Sequence, residues 1–593
     1  MQTLNDVHQQ FASFFKSETL RPYAWLVSKK LSEGHICVSL EDIEEIGDEC
    51  PLAYKSGMSD IGSLGDEPMV STNEQEKQPF VLYNKRLYLQ RYFAYESMIL
   101  NRIEQFIETE RLNASDRAIV MESQKGFIKQ LFSGNEAEQT DWQMAAAVSC
   151  ILNNFTVITG GPGTGKTTTV SKILAVLFNM NSDLKVALAA PTGKAAMRMA
   201  ESLKAASVEL NPATRDCFES LRPSTIHRLL KYIPDSPYFK HNHDNPLEYD
   251  VVIVDEASMI DVALFAKLLD AVGPDTRLIL LGDKDQLASV EAGSLFGDLC
   301  QSQGSLNLFS NERAALINSF TERSERQITP IHITEPSGHP LFEHIIELQH
   351  SHRFKSDEGI GKFSRAIISD DVASIEGFIA GDPDGQVVID PDYSQKEFED
   401  FIQGYIAYIQ EPDTRKALTK FQDLRILCAI REGEKGLYAI NRKVEKYLAD
   451  KGKITLKGDF YEHRPIMINS NNYSLGLFNG DIGIIRPDGN GVLKAWFETA
   501  EGELKAILPG LIGQAETVYA MTIHKSQGSE FNKVLIVLPD AENISILTRE
   551  LLYTGVTRAK QKVVVQGKES GILQAAERRV KRASGLSERF KAS

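Results

Sequence analysis

The stretch VITGGPGTGKTTTV, residues 157 to 170, constrains the fold of this chain more than any other. Gly160-Gly161-Pro162-Gly163-Thr164-Gly165-Lys166-Thr167 fits the pattern G-x-x-x-x-G-K-[ST], directly after strand-like FTVIT and before helical TTVSKILAVLF. In such a loop the glycines let backbone N–H groups wrap phosphate oxygens, the lysine reaches the outer phosphates and the threonine hydroxyl holds Mg²⁺. The loop joins a strand to a helix, and the sequence around it has the matching texture. From about 140, the β-branched runs FTVITG, KVALAA, DVVIVD and RLILLG alternate with helical segments, which predicts an α/β domain with a parallel sheet wound by helices.

A second set of such runs, DLRILCAI, NKVLIVL and KVVVQG, follows residue 420, so the wound domain is expected twice. Within the second set, about 453–515, short strands are separated by Asn-Gly, Gly-Asp and Asp-Gly turns, the pattern of a small antiparallel barrel inserted into the second domain. Residues 1–115 carry apolar residues three and four apart, as in LRPYAWLVSKKLSEG and LYLQRYFAYESMILNRIEQFIE, and are expected to form a helical domain. With 593 residues the chain exceeds the roughly 250–300 that one core supports. The expected division is 1–115, 116–345 and 346–593, with a Pro/Asn/His-rich segment at 231–250 as a surface loop or short pin.

Two acids end a neighbouring strand in YDVVIVDEAS. Asp255 is expected to hold Mg²⁺ through water and Glu256 to orient or deprotonate an attacking water. LILLGDKDQLASV places Asp283 and Gln286 at another strand end, where the amide can sense a γ-phosphate. Arg353 in ELQHSHRF and Arg558 in LLYTGVTRAK lie far along the chain. An arginine arriving from a second domain stabilises phosphoryl transfer only when the cleft closes. The combination reads as an ATPase whose turnover is coupled to domain closure.

Composition narrows the surroundings. The formal charge of −16 argues weakly against a nucleic-acid partner, although net charge does not decide the field inside a cleft. The six cysteines include no C-x-x-C pair, which fits a reducing cytoplasm and suggests neither a zinc site nor a disulfide framework. No leader pattern opens the chain and no run reaches the ~18 apolar residues of a membrane span.

The motif series resembles the ordered motifs of superfamily 1 helicases, from about 140 to 565. Gln143 in DWQMAAA is similar to the glutamine that reads adenine. AAPTGKAAMRM (Pro191, Thr192, Lys194) and STIHRLL (Thr225, His227) resemble first-domain segments that hold the DNA backbone. AMTIHKSQGSEF (Thr522, His524, Lys525, Ser526, Gln527, Gly528) resembles the segment coupling DNA and nucleotide in the second domain. Within the superfamily, TIHRLL, VVDEASMID, SHRF and LLYTGVTRAK are most similar to the RecD branch, and EGHICVSL and RLYLQRYFAYE look like its leading domain.

The resemblance implies two RecA-like P-loop NTPase domains, an SH3-like barrel insertion, and ATP and Mg²⁺ as cofactors. It also implies 5′→3′ movement on single-stranded DNA from double-stranded ends, in a heterotrimer with RecB-like and RecC-like subunits. No nuclease constellation is apparent in the chain, so nuclease activity is expected from a partner. A free-standing RecD-like helicase is the alternative, and a subunit that binds ATP and DNA ends with little turnover is a third reading.

Overall fold

The computed structural model describes all residues except 1–5, 42–49, 52–53, 55–60, 74–75, 134–138, 208–211, 355–358, 473, 500–501, 541–543 and 593. Near the N-terminus, helix α1 (Leu20–Ser32) packs Leu20, Tyr23, Ala24 and Val27 into a small core. That core is completed by a four-stranded sheet of β1 (Cys37–Ser39), β2 (Val70–Ser71), β3 (Phe80–Tyr83) and β4 (Arg86–Leu89), ordered β1-β4-β3-β2. Helical spacing located the helices and missed this sheet, whose strands of two to four residues are too short to show alternation. Helix α2 (Gln90–Ser123) runs unbroken through the expected boundary at 115. It carries Ile99, Ile103, Phe106 and Ile107 into the core beneath the next sheet.

That sheet comprises β5 (Phe155–Thr159), β6 (Val186–Ala190), β7 (Ser224–Thr225), β8 (Val251–Val254), β9 (Arg277–Gly282) and β10 (Ile345–Glu347). Its order is β10-β5-β9-β8-β6-β7 and every pairing is parallel. The apolar runs are continuous because helices cover both faces. Ile158, Leu188, Ile253 and Leu281 face α3 (Trp142–Leu152) and α4 (Lys166–Met180). The alternate residues Val157, Ala189, Val254 and Leu280 share a core with α2 and, farther along the chain, Val262–Ala271. Between β6 and β7 runs α5 (Gly193–Ser207), and α6 (Ile226–Leu229) follows β7. β10 straddles the expected boundary at 345 and belongs to this sheet. Residues 231–250 form an irregular excursion with single bridges Tyr232 to Phe239 and Asn242 to Asn245.

The second parallel sheet begins with β11 (Val387–Asp390) and β12 (Leu424–Cys428). Next comes an antiparallel insertion of β13 (Pro465–Ile468), β14 (Ile482–Pro487), β15 (Leu493–Glu498), β16 (Leu504–Ile507) and β17 (Ala515–Thr517). Its order is β16-β15-β14-β13-β17, so the last strand returns beside the first, around a separate core that includes Ile466, Ile485 and Phe497. The parallel sheet resumes with β18 (Ala520–Thr522), β19 (Phe531–Val537) and β20 (Ala559–Gln566), giving the order β11-β20-β19-β12-β18. Helix α7 (Arg549–Val556) precedes β20. The final helix, α8 (Leu586–Ala592), turns back to bury Leu586 and Phe590 in the first-sheet core. Among the described residues no helix is long and apolar enough to cross a membrane.

Candidate functional site

The phosphate loop is shaped by its neighbours as much as by its own glycines. Gly163 (φ +80°) and Gly165 (φ +85°) adopt the left-handed backbone that glycine tolerates. A side chain at Gly163 would collide with Arg353, and one at Gly165 with Gln143. Two residues expected to contact nucleotide are therefore packed directly against the loop. Lys166 Nζ donates to Gly160 O (2.5 Å) and Gly161 O (3.1 Å), folding the ammonium over the loop.

A cleft of about 840 Å³ opens here, lined by Gln143, Lys166, Thr167, Asp255, Glu256, Gln286, Arg353 and Arg558 among others. Of the residues expected to act on nucleotide, Gly160, Gly161, Thr164, Asp283 and Gly528 are not part of this lining, and the others are gathered here from both parallel sheets. Asp255 follows β8; burial and the neighbouring Glu256 push its carboxyl up to about 6, against the pull of Lys166. Glu256 has φ +53°, a strained conformation for a residue with a side chain and one that clusters at functional sites. Burial likewise raises Asp283 to about 6. Its carboxylate accepts from Gln286 Nε2 (2.9 Å) and from the hydroxyl of Tyr553 (3.1 Å), which arrives from the other sheet on α7. Thr554 Oγ1 accepts from Leu287 N (3.0 Å), and Gln527 Nε2 donates to Leu287 O (2.8 Å). The loop after β9 is thereby tied to the second sheet at three points.

The two arginines are held differently. Arg558 is buried, donating through Nε to Thr554 O (3.1 Å) and through Nη1 to Ser529 O (3.2 Å). Arg353 Nη2 pairs with Glu530 Oε1 at 2.5 Å, while its Nη1 is buried without a hydrogen-bond partner. A buried cationic donor left unmatched in this cleft suits an anion, and so does the loop. Glu530 also takes Arg198 (3.5 Å) and Lys560 (3.2 Å). Burial alone would raise its carboxyl; Arg198 and Arg353 outweigh burial and hold it down to about 2. Arg198, Glu530 and Tyr553 lie within the motif stretches of the sequence, but no motif position gives them a role. The signal for Arg198 was its helical spacing from Ala195 and Ser202.

A second groove, of about 560 Å³, lies on the other side of α5. Pro191, Thr192, Thr225 and His227 line one wall, with Arg228; the opposite wall comes from the antiparallel insertion and includes Phe478, Asn479 and Lys505. Thr192 Oγ1 also accepts from Ala195 N (3.2 Å) and Thr225 Oγ1 from Arg228 N (3.3 Å), so both threonines cap helices as well. Helix α5 is a wall shared by the two cavities. Gly193, Ala196, Met197 and Ala200 face the groove; Ala195, Arg198, Met199, Glu201 and Ser202 face the cleft.

The other three residues expected at DNA do not line this groove. Lys194 lies one step round α5 from Gly193, where burial, Arg198 and Arg425 lower its ammonium to about 7. Thr522 is buried and accepts from Lys525 N (3.3 Å). His524 is half-buried, and burial together with Arg582 lowers its pKa. Their segment instead makes connections: Lys525 Nζ donates to Asn469 Oδ1 of the insertion (2.6 Å), and Gly528 O accepts from Arg198 Nη1 (2.7 Å).

Comparison with known proteins finds three family models along the chain. They are "RecBCD enzyme subunit RecD, N-terminal domain" at residues 1–88, "AAA domain" at 143–292 and "UvrD-like helicase C-terminal domain" at 517–566. The chain is 34% identical to the RecBCD enzyme subunit RecD of Mycolicibacterium smegmatis, over 95% of this chain and 92% of that one. It is 36% identical to the RecBCD enzyme subunit RecD of Haemophilus influenzae, over 76% of this chain and 72% of the relative. The ATP-dependent RecD2 DNA helicase of Deinococcus radiodurans is 27% identical over 86% of this chain, but over only 59% of its own length.

Proposed function

This chain belongs to the RecD family of RecBCD enzyme subunits, and from that premise we propose that it moves along single-stranded DNA in the 5′→3′ direction, driven by ATP hydrolysis. It is an ATP-dependent DNA helicase, and it works with RecB-like and RecC-like subunits on double-stranded DNA ends, which it helps to unwind and resect for repair. The free-standing alternative is less favoured, since the RecD2 relative is matched over much less of its length than the RecBCD subunits are. We place this work in the cytoplasm, with the DNA it acts on.

The observation that carries the reading is the convergence of Lys166, Asp255, Glu256, Gln286, Arg353 and Arg558 on one cleft between two parallel sheets. ATP enters with its phosphates along residues 160–167 and its base toward Gln143. Lys166 leaves the Gly160 and Gly161 carbonyls for the outer phosphates. Thr167 and Asp255 are hard oxygen donors suited to Mg²⁺, which commonly takes one or two protein oxygens and completes its shell with phosphates and water. When bound, the metal would neutralise charge on the phosphates. Glu256 orients and deprotonates the attacking water, and Gln286, tied through Asp283 to Tyr553, reports the γ-phosphate to the second sheet. Arg353 exchanges Glu530 for phosphate, and Arg558 reaches the same charge from α7's C-terminal end. Closure of the cleft and its reopening after hydrolysis alternate the grip on the strand, and direction follows from differential affinity in the two states.

The test is Lys166→Gln. DNA-stimulated ATP turnover is expected to fall at least ~100-fold, as for loss of a preorganised charge-stabilising donor. Circular dichroism should remain that of the wild type, and turnover at the wild-type rate would refute the proposal.

A further inference from the structure

The antiparallel insertion supplies one wall of the groove. Its centre is Phe478, whose ring lies 4.3 Å from the guanidinium carbon of Arg228 on the opposite wall. The ring is half-buried, and its Cβ lies 3.8 Å from where a side chain at Gly193 would begin, over the first turn of α5. Phe478 is not a loose loop residue. Asp481 accepts from Phe478 N (2.7 Å), Asn479 N donates to Asn471 Oδ1 (2.9 Å), and Asn472 and Leu477 form a two-way backbone bridge. The loop presents an aromatic face fixed in place, with Arg228 and Lys505 supplying positive charge from opposite walls and Asp481 and Glu498 supplying acids.

An aromatic face between cations is how proteins hold single strands without reading sequence, because every base has a π-face and every nucleotide a phosphate. The Arg228 guanidinium occupies that face by a cation–π contact. We propose that Phe478 is a stacking platform for one unpaired base of the DNA strand, and that Arg228 caps the platform until a base replaces it. Released from the ring, the guanidinium is free to bind a phosphate of the same strand, a contact its planar fork is suited to. The insertion thereby becomes the second jaw on the strand, opposite Pro191, Thr192, Thr225 and His227. The inference rests on the proposed function, since it presumes that a single strand runs through this groove.

The experiment measures binding of a fluorescent oligothymidylate, and of blunt duplex, to the wild-type chain and to Phe478→Ala and Phe478→Trp. If the wild type binds no single-stranded DNA, the proposed function fails and not merely this inference. Given wild-type binding, Phe478→Ala is expected to weaken affinity about 5- to 150-fold, the range for loss of one stacked base. Phe478→Trp should retain affinity, and its added emission over the wild type should be quenched by the oligonucleotide and not by blunt duplex. Wild-type affinity in folded Phe478→Ala would overturn the proposal and leave the Arg228 contact as packing between two parts of the fold. Should Phe478→Ala fail to fold, Phe478→Trp decides alone: emission unchanged by saturating oligonucleotide overturns the platform.

Discussion

Asp255 illustrates the conflict that an ATPase site imposes on single residues. Its carboxyl is pushed up to about 6 by burial and by Glu256, so the ionised form that its proposed role at Mg²⁺ needs is disfavoured in the nucleotide-free protein. A carboxyl with a raised folded pKa destabilises the fold as pH climbs from its unfolded value toward about 6, and the penalty is constant above that. Asp255→Asn is therefore expected to raise the melting temperature of the nucleotide-free protein at pH 7.5, with the gain shrinking to nothing below about pH 4. Thermal melts of both proteins across that range check it, and a gain that grows toward low pH would contradict it. The placement of Asp255 beside the phosphate loop was legible in the sequence, because both stand at the ends of buried strand-like runs. Glu530 was not: its role depends on Arg198, Arg353 and Lys560, three residues up to 362 positions apart that only the fold brings to one carboxylate.

Helix α5 is the wall that the two cavities share. Four of its residues line the groove and five the cleft, in two sets offset round one helix, while Arg198 reaches across to Gly528 O and Glu530. A small shift of α5 must therefore be felt on both sides. Replacing Arg198 by Gln removes the charged tie between α5 and the second sheet. The ratio of DNA-stimulated to DNA-free ATP turnover is expected to fall several-fold, read from steady-state rates with and without oligothymidylate; an unchanged ratio would mean that α5 does not carry the coupling. The sequence announced α5 through PTGKAA, but its double facing was hidden. Periodicity locates the buried stripe of Ala195, Ala196, Met199 and Leu203, but not the two separate cavities that the faces beside it line. The N-terminal sheet escaped for the opposite reason, since its strands are too short to impose a pattern.

Over the whole molecule, the chain is closed on itself. The last helix returns to the N-terminal region, where Arg86 makes a bidentate pair with Glu588 (2.7 and 2.6 Å) and Glu96 accepts from Gly585 N (2.7 Å) beside Arg589. Helix α2, shared between the N-terminal region and the first sheet, joins the segment matched by the RecD N-terminal model to the ATPase. The N-terminal region and the nucleotide cleft are therefore parts of one connected body. The two parallel sheets were readable because buried parallel strands are runs of apolar residues. Their mutual arrangement was not, as it rests on contacts such as Tyr553 to Asp283, 270 residues apart.

ATP turnover in this cleft is proposed to drive the strand in one direction. The most direct measurement follows the arrival of the enzyme, assembled with its partner subunits, at a fluorophore on either the 5′ or the 3′ end of single-stranded DNA of increasing length. Wild-type complex and complex carrying Lys166→Gln are compared. A length-dependent arrival at the 3′ end that Lys166→Gln abolishes is expected; arrival at the 3′ end that survives the substitution, or its absence in the wild type while this chain hydrolyses ATP, would refute the proposed direction and its driving force.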